Sequence, residues 1–172
     1  MLHNLNRLIT LVASGDNDSF TKLYNNTKRG VYAFIYSYLK NTADTEDAMQ
    51  TVYLKIKQSA HSFNQSGNGR AWILQIAKNY ALDLIKKQGR YTSIETSPEV
   101  HYYDKDNGLG IVGDAMKKVL TEEEQRIIIL HVLWGYRHRE IGEILNSPTG
   151  TVTSKYKRAV EKLKKELKGG KN

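Results

Sequence analysis

The segment GYRHREIGEILNSPTGTVTSKYKRAVEKL, residues 135–163, contains two short helical patterns separated by a turn. In the first pattern, residues 139–145, the apolar side chains share one face, and the pair Asn146-Ser147 ends it. Ser147 followed by Pro148 predicts a new helix start, because serine caps free N–H groups and proline sacrifices no hydrogen bond at the first helical position. The segment therefore predicts a helix-turn-helix.

The second helix of this pair has two contrasting faces. Its apolar residues recur at helical spacing and predict a buried face made of Val152, Tyr156, Ala159, Val160, Leu163 and Leu167. The other face combines short polar side chains with cations, namely Thr151, Ser154, Lys155, Arg158 and Lys162. Short polar groups near a helix N-terminus suit base edges, and cations beside them suit phosphates. We interpret the pair as a major-groove reader; an amphipathic hairpin with a solvated basic face is the alternative.

Charge is distributed unevenly along the 172 residues, whose net charge is +8. Residues 1–90 carry twelve basic and six acidic side chains, residues 91–120 carry three and five, and residues 121–172 carry eleven and seven. Two basic blocks flanking an acidic spacer indicate a polyanionic partner, although a solvated charged surface gives the same composition. The chain has no cysteine, so it has neither disulfides nor a thiolate metal site.

The N-terminal apolar run is only about five residues long, too short for the apolar core of a signal peptide. No stretch approaches the roughly 18 apolar residues of a membrane span. We therefore expect a cytoplasmic protein with no membrane segment of its own.

The first 90 residues predict a small helical unit. Apolar periodicity indicates helices over 18–39, 44–60 and 71–87, and a polar loop with two glycines, residues 64–69, precedes the last. Because the 71–87 helix is apolar on most sides, we expect it at the centre of the unit.

Periodicity is lost from Arg90 to Gly113 and returns with Thr121-Glu-Glu-Glu124, a capping box that opens a helix ending near Gly135. The expected fold is all-α, with two small helical domains at 1–90 and 114–172 joined by a flexible linker at 91–113.

The 44–60 helix carries a second face besides its core face. Met49, Val52, Tyr53, Ile56 and Ala60 form the expected core face. The second face, called the docking face below, consists of Asp47, Gln50, Thr51, Leu54 and Gln58. An apolar residue among polar ones away from the core indicates a protein partner, while a stray surface leucine is the simpler alternative.

These motifs resemble a known family. REIGEILNSPTGTVTSKYKRAVEKL, residues 139–163, is similar to the −35-reading region of bacterial sigma factors, with its E-I-A-E-I-L, short turn and G-T-V-K-S-R-x-x-R-A pattern. SGDNDSFTKLY (14–24), DTEDAMQTVYLKI (44–56) and RAWILQIAKNYALDLIKK (70–87) resemble segments of the extracytoplasmic-function (ECF) type, in the same order and at similar spacing. The chain is identified on these residues as a sigma-70 family member of ECF type.

The resemblance implies partners for each part of the chain. The docking face would contact the clamp helices of the largest subunit of core RNA polymerase, and the C-terminal domain would contact the flap region and promoter DNA. An anti-sigma factor is a further implied partner. Contacts to the −35 element would come from Thr149, Gly150, Thr151, Thr153, Ser154, Lys155, Lys157 and Arg158.

The resemblance also assigns capture of a flipped −10 base to the loop before the third helix. The candidate contacts are Phe63, Asn64, Gln65, Ser66, Asn68, Arg70, Trp72, Lys78 and Asn79. A glycine-containing loop with amide side chains and a nearby aromatic suits an unstacked base. Trp72 fits both a base contact and the core, with the core favoured, and Arg70, Lys78, Lys86 and Lys87 suit phosphates.

Three positions depart from the family pattern. Thr153 stands where lysine is usual, Lys155 where arginine is usual, and Lys57 where tryptophan is frequent. Because lysine cannot make the bidentate contacts of arginine, the bases read at −35 are not fixed by the resemblance.

The expected function is that of an alternative sigma factor that binds core RNA polymerase and directs promoter-specific initiation. An autonomous helix-turn-helix regulator acting without polymerase is the second hypothesis, although no dimerisation seam is visible. An enzyme such as a helical nuclease is the third, disfavoured because no carboxylate pair, nucleophile–base set or metal cluster stands out. We therefore expect no catalytic residues, metal or cofactor.

Overall fold

The computed structural model describes residues 4–87, 89 and 109–169, and the regular structure within them is entirely helical. The all-α prediction is confirmed. The chain divides into two compact units, with the division between Ser97 and Pro98. None of the described helices combines the length and the apolar character needed to cross a membrane.

The first unit packs three helices around a long central one. Its elements are α1 (Leu5–Ala13), α2 (Asn17–Leu39), α3 (Thr42–Ser59), a 3₁₀ turn (Ala60–Ser62) and α4 (Gly69–Lys87). The central helix is α2, which packs against α1, α3 and α4. Its side chains in the core include Leu23, Val31, Phe34 and Ile35, all without exposed surface.

The expectation that the 71–87 helix is central was wrong. On α4, Ile73, Leu74, Ala77 and Ala81 are buried, whereas most of its other apolar side chains keep part of their surface exposed. Helix α4 carries more apolar residues than it buries, and this excess produced the wrong prediction. Exposed aliphatic surface is normal in small domains, so an apolar helix need not be a central one.

Local signals define the helix ends of this unit. The Asp16 carboxylate accepts hydrogen bonds from the Asp18 and Ser19 N–H groups, at 2.9 and 3.3 Å, and from the Ser19 hydroxyl at 2.7 Å. The Ser19 bonds hold the pKa of Asp16 below its ordinary value. At the next junction Lys40 adopts φ 54°, and Asn41 caps α3 through the Asp44 N–H at 3.0 Å. These caps place the starts of α2 and α3 within two residues of the predicted ones.

The second unit contains α5 (Leu109–Val119), α6 (Glu122–Ile128), a π-helical segment (Ile129–Leu133), α7 (His138–Leu145) and α8 (Thr149–Gly169). Helix α5 begins inside the predicted linker, so residues 109–113 are helical rather than linker; residues 91–108 lie outside the described residues. Glycines at 110 and 113 weaken the helical signal there, but Ala115 and Met116 bury the helix against its unit.

The predicted capping box opens α6. The Thr121 N–H donates to Glu124 Oε2 at 2.9 Å, and the Glu124 N–H donates to Thr121 Oγ1 at 3.3 Å. The helix widens where the Trp134 N–H donates to the Ile129 carbonyl at 3.3 Å. It ends at Leu133, and Gly135, whose φ of 68° suits glycine, follows two residues later, close to the predicted end.

Candidate nucleic-acid and partner interfaces

A tight turn joins α7 to α8 and sets the geometry of the helix-turn-helix. Asn146 ends α7 at φ 53°, a left-handed conformation that asparagine tolerates, and the Ser147 N–H donates to the Gly142 carbonyl at 2.8 Å. A Cβ at Gly142 would lie 2.6 Å from the Ser147 carbonyl oxygen, so glycine lets the turn pack closely. The Pro148 carbonyl accepts the first helical bond, from Val152 N–H at 3.0 Å, so Pro148 precedes the helix by one residue.

The inner face of α8 follows the predicted pattern at its centre. Val152 and Ala159 are fully buried, while Tyr156, Val160, Leu163 and Leu167 are half-buried. The opposite surface is open to solvent. We call it the recognition face and define it as the exposed or half-exposed residues Thr149, Gly150, Thr151, Ser154, Lys157 and Arg158.

Two cations of α8 are paired with the acidic first turn of α6. Lys155 donates to the Glu123 carboxylate, and Lys162 donates to Glu124 at 2.8 and 3.0 Å. Burial acts to raise the pKa of Glu124, but the Lys162 and Thr121 hydrogen bonds outweigh it and hold that pKa below its ordinary value. Lys155 is therefore engaged within the protein, and its predicted DNA contact requires an exchange of partners.

Thr153 lies at the interface with α7 rather than on the recognition face. Its hydroxyl donates to the Thr149 carbonyl at 2.9 Å and lies 3.1 Å from His138 Nδ1. The resemblance, and not the helical pattern, placed Thr153 among the −35 contacts; in the structure its hydroxyl is engaged within the unit, so a DNA contact of Thr153 stays a prediction.

Three aromatic rings, one on α8 and two from the segments packed against it, form a cluster that the sequence analysis missed. The ring centroids of His131, His138 and Tyr156 lie 4.7 to 5.0 Å apart. His131 Nδ1 lies 2.8 Å from the Tyr136 carbonyl, and His138 Nε2 is buried without a hydrogen-bond partner. Burial, and then the charge of His131, lower the pKa of His138. The cluster therefore favours a neutral His138.

In the first unit, the chain forms a loop over residues 63–68 and enters α4 at Gly69; we call residues 63–70 the reading loop. Asn68 caps α4, accepting the Arg70 and Ala71 N–H groups at 3.1 and 3.3 Å. Asn64 Oδ1 accepts the Ser66 N–H and hydroxyl at 3.1 and 2.8 Å. The side chains of the loop that are exposed to solvent are Asn64, Gln65, Ser66 and Asn68.

Trp72 lies at the edge of the reading loop. Its ring centroid is 5.3 Å from that of Phe63, and both side chains are half-buried. The choice between a base contact and a core position for Trp72 therefore stays a prediction, since its ring is half-buried against Phe63. The remaining predicted contacts follow on the same helix: Arg70 and Lys78 are half-buried, and Asn79, Lys86 and Lys87 are exposed, with Gln75 donating to Asn79 Oδ1 at 2.6 Å.

The docking face of α3 is separate from its core face. Asp47, Gln50 and Gln58 are exposed, Thr51 is half-buried, and 57% of Leu54 is exposed. Of the predicted core face, Val52, Tyr53, Ile56 and Ala60 are buried and Met49 is half-buried.

A hydrogen bond of 2.8 Å between the Tyr53 and Thr27 hydroxyls fastens α3 to α2. Burial raises the pKa of Tyr53 above its ordinary value. Lys57, where the family often has tryptophan, lies 5.3 Å from the Phe20 ring centroid and donates to Asn17 Oδ1 at 3.0 Å. These contacts orient α3 and leave Leu54 facing outward.

The fold and these surfaces define a class of protein: an all-α chain with a helix-turn-helix unit and a second helical unit, each carrying an outward-facing surface of its own. Comparison with known families narrows the class. The Sigma-70 region 2 model matches residues 23–91, and the Sigma-70 region 4 model matches residues 114–163.

Two relatives that match nearly the whole chain are both described as ECF RNA polymerase sigma factors. The chain is 26% identical to the ECF RNA polymerase sigma factor SigK of Mycobacterium tuberculosis (strain H37Rv), over 94% of this chain and 92% of that one. It is 27% identical to the ECF RNA polymerase sigma factor SigW of Bacillus subtilis (strain 168), over 95% and 97%. The chain belongs to the sigma-70 family of RNA polymerase sigma factors and is of the ECF type.

Solved structures agree with this assignment. The sigma factor RpoE of Bartonella quintana, in complex with the anti-sigma factor NepR, matches with a TM-score of 0.67 and 25% identity over 89% of this chain and 98% of that one. CnrH, in complex with the cytosolic domain of CnrY, has the same fold, with a TM-score of 0.61 and 19% identity over 95% and 97%. The chain is an alternative sigma factor, which binds core RNA polymerase and promoter DNA to start transcription; these matches favour it over the autonomous regulator.

Proposed function

We propose that the two units divide the work of promoter recognition. The docking face on α3 binds the clamp helices of the largest polymerase subunit, and the reading loop captures an unstacked base of the −10 element. The recognition face of α8 binds the −35 element, and the second unit also contacts the flap region. The domain limits of this division are 1–90 and 114–172, with α5 extending the second domain to residue 109.

The observation that carries this proposal is the exposure of Leu54. With 57% of its surface open, it lies among polar side chains on a helix whose opposite face buries Val52, Tyr53 and Ile56. Desolvating one exposed leucine in an interface centre contributes on the order of 1–3 kcal/mol. Such a residue suits a protein partner, whereas the cations and short polar groups of α8 suit DNA.

The chemistry of promoter opening, in this proposal, requires no catalytic group of the chain itself. Among the described residues, no group of three or more histidine, aspartate and glutamate side chains could hold a metal ion. Its membership of the sigma-70 family supports the proposal that the chain acts as a non-enzymatic initiation factor in the cytoplasm, where core polymerase and chromosomal promoters are found. RNA synthesis is the chemistry of the polymerase.

We also propose regulation by an anti-sigma factor. The support is the similarity to RpoE of Bartonella quintana, whose structure is that of a complex with an anti-sigma factor. Such a partner should displace the chain from core polymerase in a competition measured by size-exclusion chromatography. A partner that binds the chain and leaves the core complex intact would contradict this regulation.

Two charge substitutions test the division of work. Leu54→Glu should weaken co-elution with core polymerase at least about tenfold, while a fragment of −35 DNA still binds the chain. Arg158→Glu should do the reverse and abolish −35-dependent initiation. Asn26→Glu, which adds the same charge to an exposed position of α2, is the control for Leu54→Glu. Loss of core binding in Arg158→Glu, or unchanged core binding in Leu54→Glu, would overturn the assignment.

A further inference from the structure

A side chain of α1 holds the reading loop from outside. Asn6 Nδ2 donates to the carbonyl oxygens of Gln65 and Gly67, at 3.1 and 2.7 Å, and Asn6 Oδ1 accepts the Gly69 N–H at 2.9 Å. Three hydrogen bonds therefore join one side chain to three backbone groups about sixty residues later in the chain. The amide uses both of its N–H donors and its acceptor in this contact.

The backbone groups that Asn6 meets need a partner from outside the loop. Gly69 is the first residue of α4, so its N–H is one of those that a helix cannot satisfy internally. The carbonyls of Gln65 and Gly67 belong to a turn whose own hydrogen bond runs from Gly67 N–H to the Asn64 carbonyl, at 2.8 Å. Asn6 thus completes the hydrogen bonding of the loop at three points.

The fit between α1 and the loop is close. A Cβ on Gly69 would lie 2.7 Å from Asn6 Oδ1 and 2.9 Å from Ile9 Cδ1, so only glycine allows this approach without displacement. Helix α1 is itself anchored, because Leu5, Leu8, Ile9 and Val12 are buried in the unit. The amide of Asn6 is therefore presented by a fixed support.

We propose that Asn6 is a positioning residue for promoter recognition. It fixes the backbone of the reading loop so that Asn64, Gln65 and Ser66 present their exposed polar side chains in one arrangement to the unstacked base. Asn6 would set discrimination among bases without touching DNA itself. It lies outside residues 23–91, which the region 2 model matches. The inference rests on the proposed base-capturing role of the loop.

The physical reason is preorganisation. A loop that becomes ordered only on binding loses conformational entropy at the moment of base capture, which weakens capture. A loop that can adjust also forms hydrogen bonds to a wrong base almost as well as to the right one, which weakens discrimination. Because water replaces part of what Asn6 supplies to an exposed loop, loss of the three bonds should reduce −10-dependent opening roughly tenfold. Discrimination should fall with it.

The test uses holoenzyme reconstituted from core polymerase and the full chain, on a promoter selected from a randomised template pool. The readouts are the rate of 2-aminopurine unstacking at the captured base and the ratio of initiation on the selected promoter to initiation on −10-substituted ones. Asn6→Ala should lower both roughly tenfold. Asn6→Asp keeps the acceptor for Gly69 but turns a carboxylate oxygen towards two carbonyls, so the loss should be at least as large. Asn4→Ala, an exposed position just before α1, is the matched control and should leave both unchanged.

Two comparisons separate the possible failures. A merely structural role would lower core affinity and thermal stability and reduce initiation equally on selected and substituted promoters, which would overturn the proposal. If Asn6→Ala does not fold, the isosteric Asn6→Asp supplies the same comparison.

The double variant Asn64→Ala with Gln65→Ala tests the loop itself: if it keeps full −10 discrimination, the proposed function of the loop fails. If the double variant loses discrimination and Asn6→Ala and Asn6→Asp keep it, only the positioning role fails.

Discussion

Lys162 donates to both carboxylate oxygens of Glu124, at 3.0 and 2.8 Å, and thereby ties α8 to the first turn of α6. The Glu124 side chain is only 5% exposed, while 41% of that of Lys162 is exposed. The same carboxylate accepts the Thr121 N–H, so one side chain caps α6 and fastens the helix that carries the recognition face.

Glu124→Ala should therefore destabilise the second unit. The substitution removes half of the capping box and leaves Lys162 without its partner, for a combined loss of about 2 kcal/mol in the free energy of unfolding. Urea denaturation of the full chain in a Trp72→Phe background measures it through the fluorescence of Trp134, which is buried in the second unit. Glu161→Ala, at an exposed position of α8, is the control. A free energy of unfolding equal to that of the control would contradict the role given to this carboxylate.

The histidine cluster should make the stability of the second unit depend on pH. The pKa of His138 is lowered in the folded chain, so the unfolded chain binds a proton more readily. The second unit therefore keeps its full free energy of unfolding above pH 6.5, the ordinary pKa of histidine. This free energy declines as the pH falls from there towards the lowered pKa that His138 has in the folded chain.

His138→Gln should flatten this decline between about pH 7.5 and about pH 5.5, measured by urea denaturation at each pH. His61→Gln, which replaces an exposed histidine of the other unit, is the matched control and should retain the wild-type slope. A His138→Gln variant with the full wild-type pH dependence would show that the cluster does not carry it.

The pairing of Lys155 predicts unequal roles for two neighbouring cations. Arg158 is exposed on the recognition face, whereas Lys155 is bound to Glu123. Arg158→Ala should therefore reduce the salt dependence of −35 DNA binding by about one counterion, and Lys155→Ala by less.

Glu123→Gln should strengthen DNA binding, because it releases Lys155 from its ion pair. Its affinity for non-specific duplex DNA at low salt should therefore rise. Fluorescence anisotropy over a salt series distinguishes these variants. Equal salt slopes for Arg158→Ala and Lys155→Ala would show that the ion pair with Glu123 does not limit Lys155.

Local signals predicted the helices other than α1 and α5, and contacts between distant residues escaped prediction. The Thr121 capping box and the turn at Asn146 are read within a few residues, so the sequence pattern located both. Thr153 reaches His138, and Lys155 reaches Glu123, across 15 and 32 residues. No periodicity encodes such pairings, because they depend on how α6, α7 and α8 pack.

The same limit applies in the first unit. Exposure of Leu54 was predictable because it interrupts a polar face at helical spacing, and the structure has it 57% exposed. The contact of Asn6 with the reading loop was not predictable, since a single asparagine near the chain start carries no periodic signal. The sequence left Trp72 open between a base contact and the core, because its position beside Phe63 depends on the direction in which α4 leaves the loop.

Promoter-directed initiation by this chain is tested most directly by run-off transcription by core RNA polymerase on a randomised template pool, with and without the chain. We expect transcripts with a fixed start only when the chain is present. Sequencing of the transcribed templates should show two enriched elements, one lost in Arg158→Glu and the other in the Asn64→Ala, Gln65→Ala double variant. Equal initiation by core polymerase alone, or enrichment of neither element, would show that the chain does not direct promoter recognition.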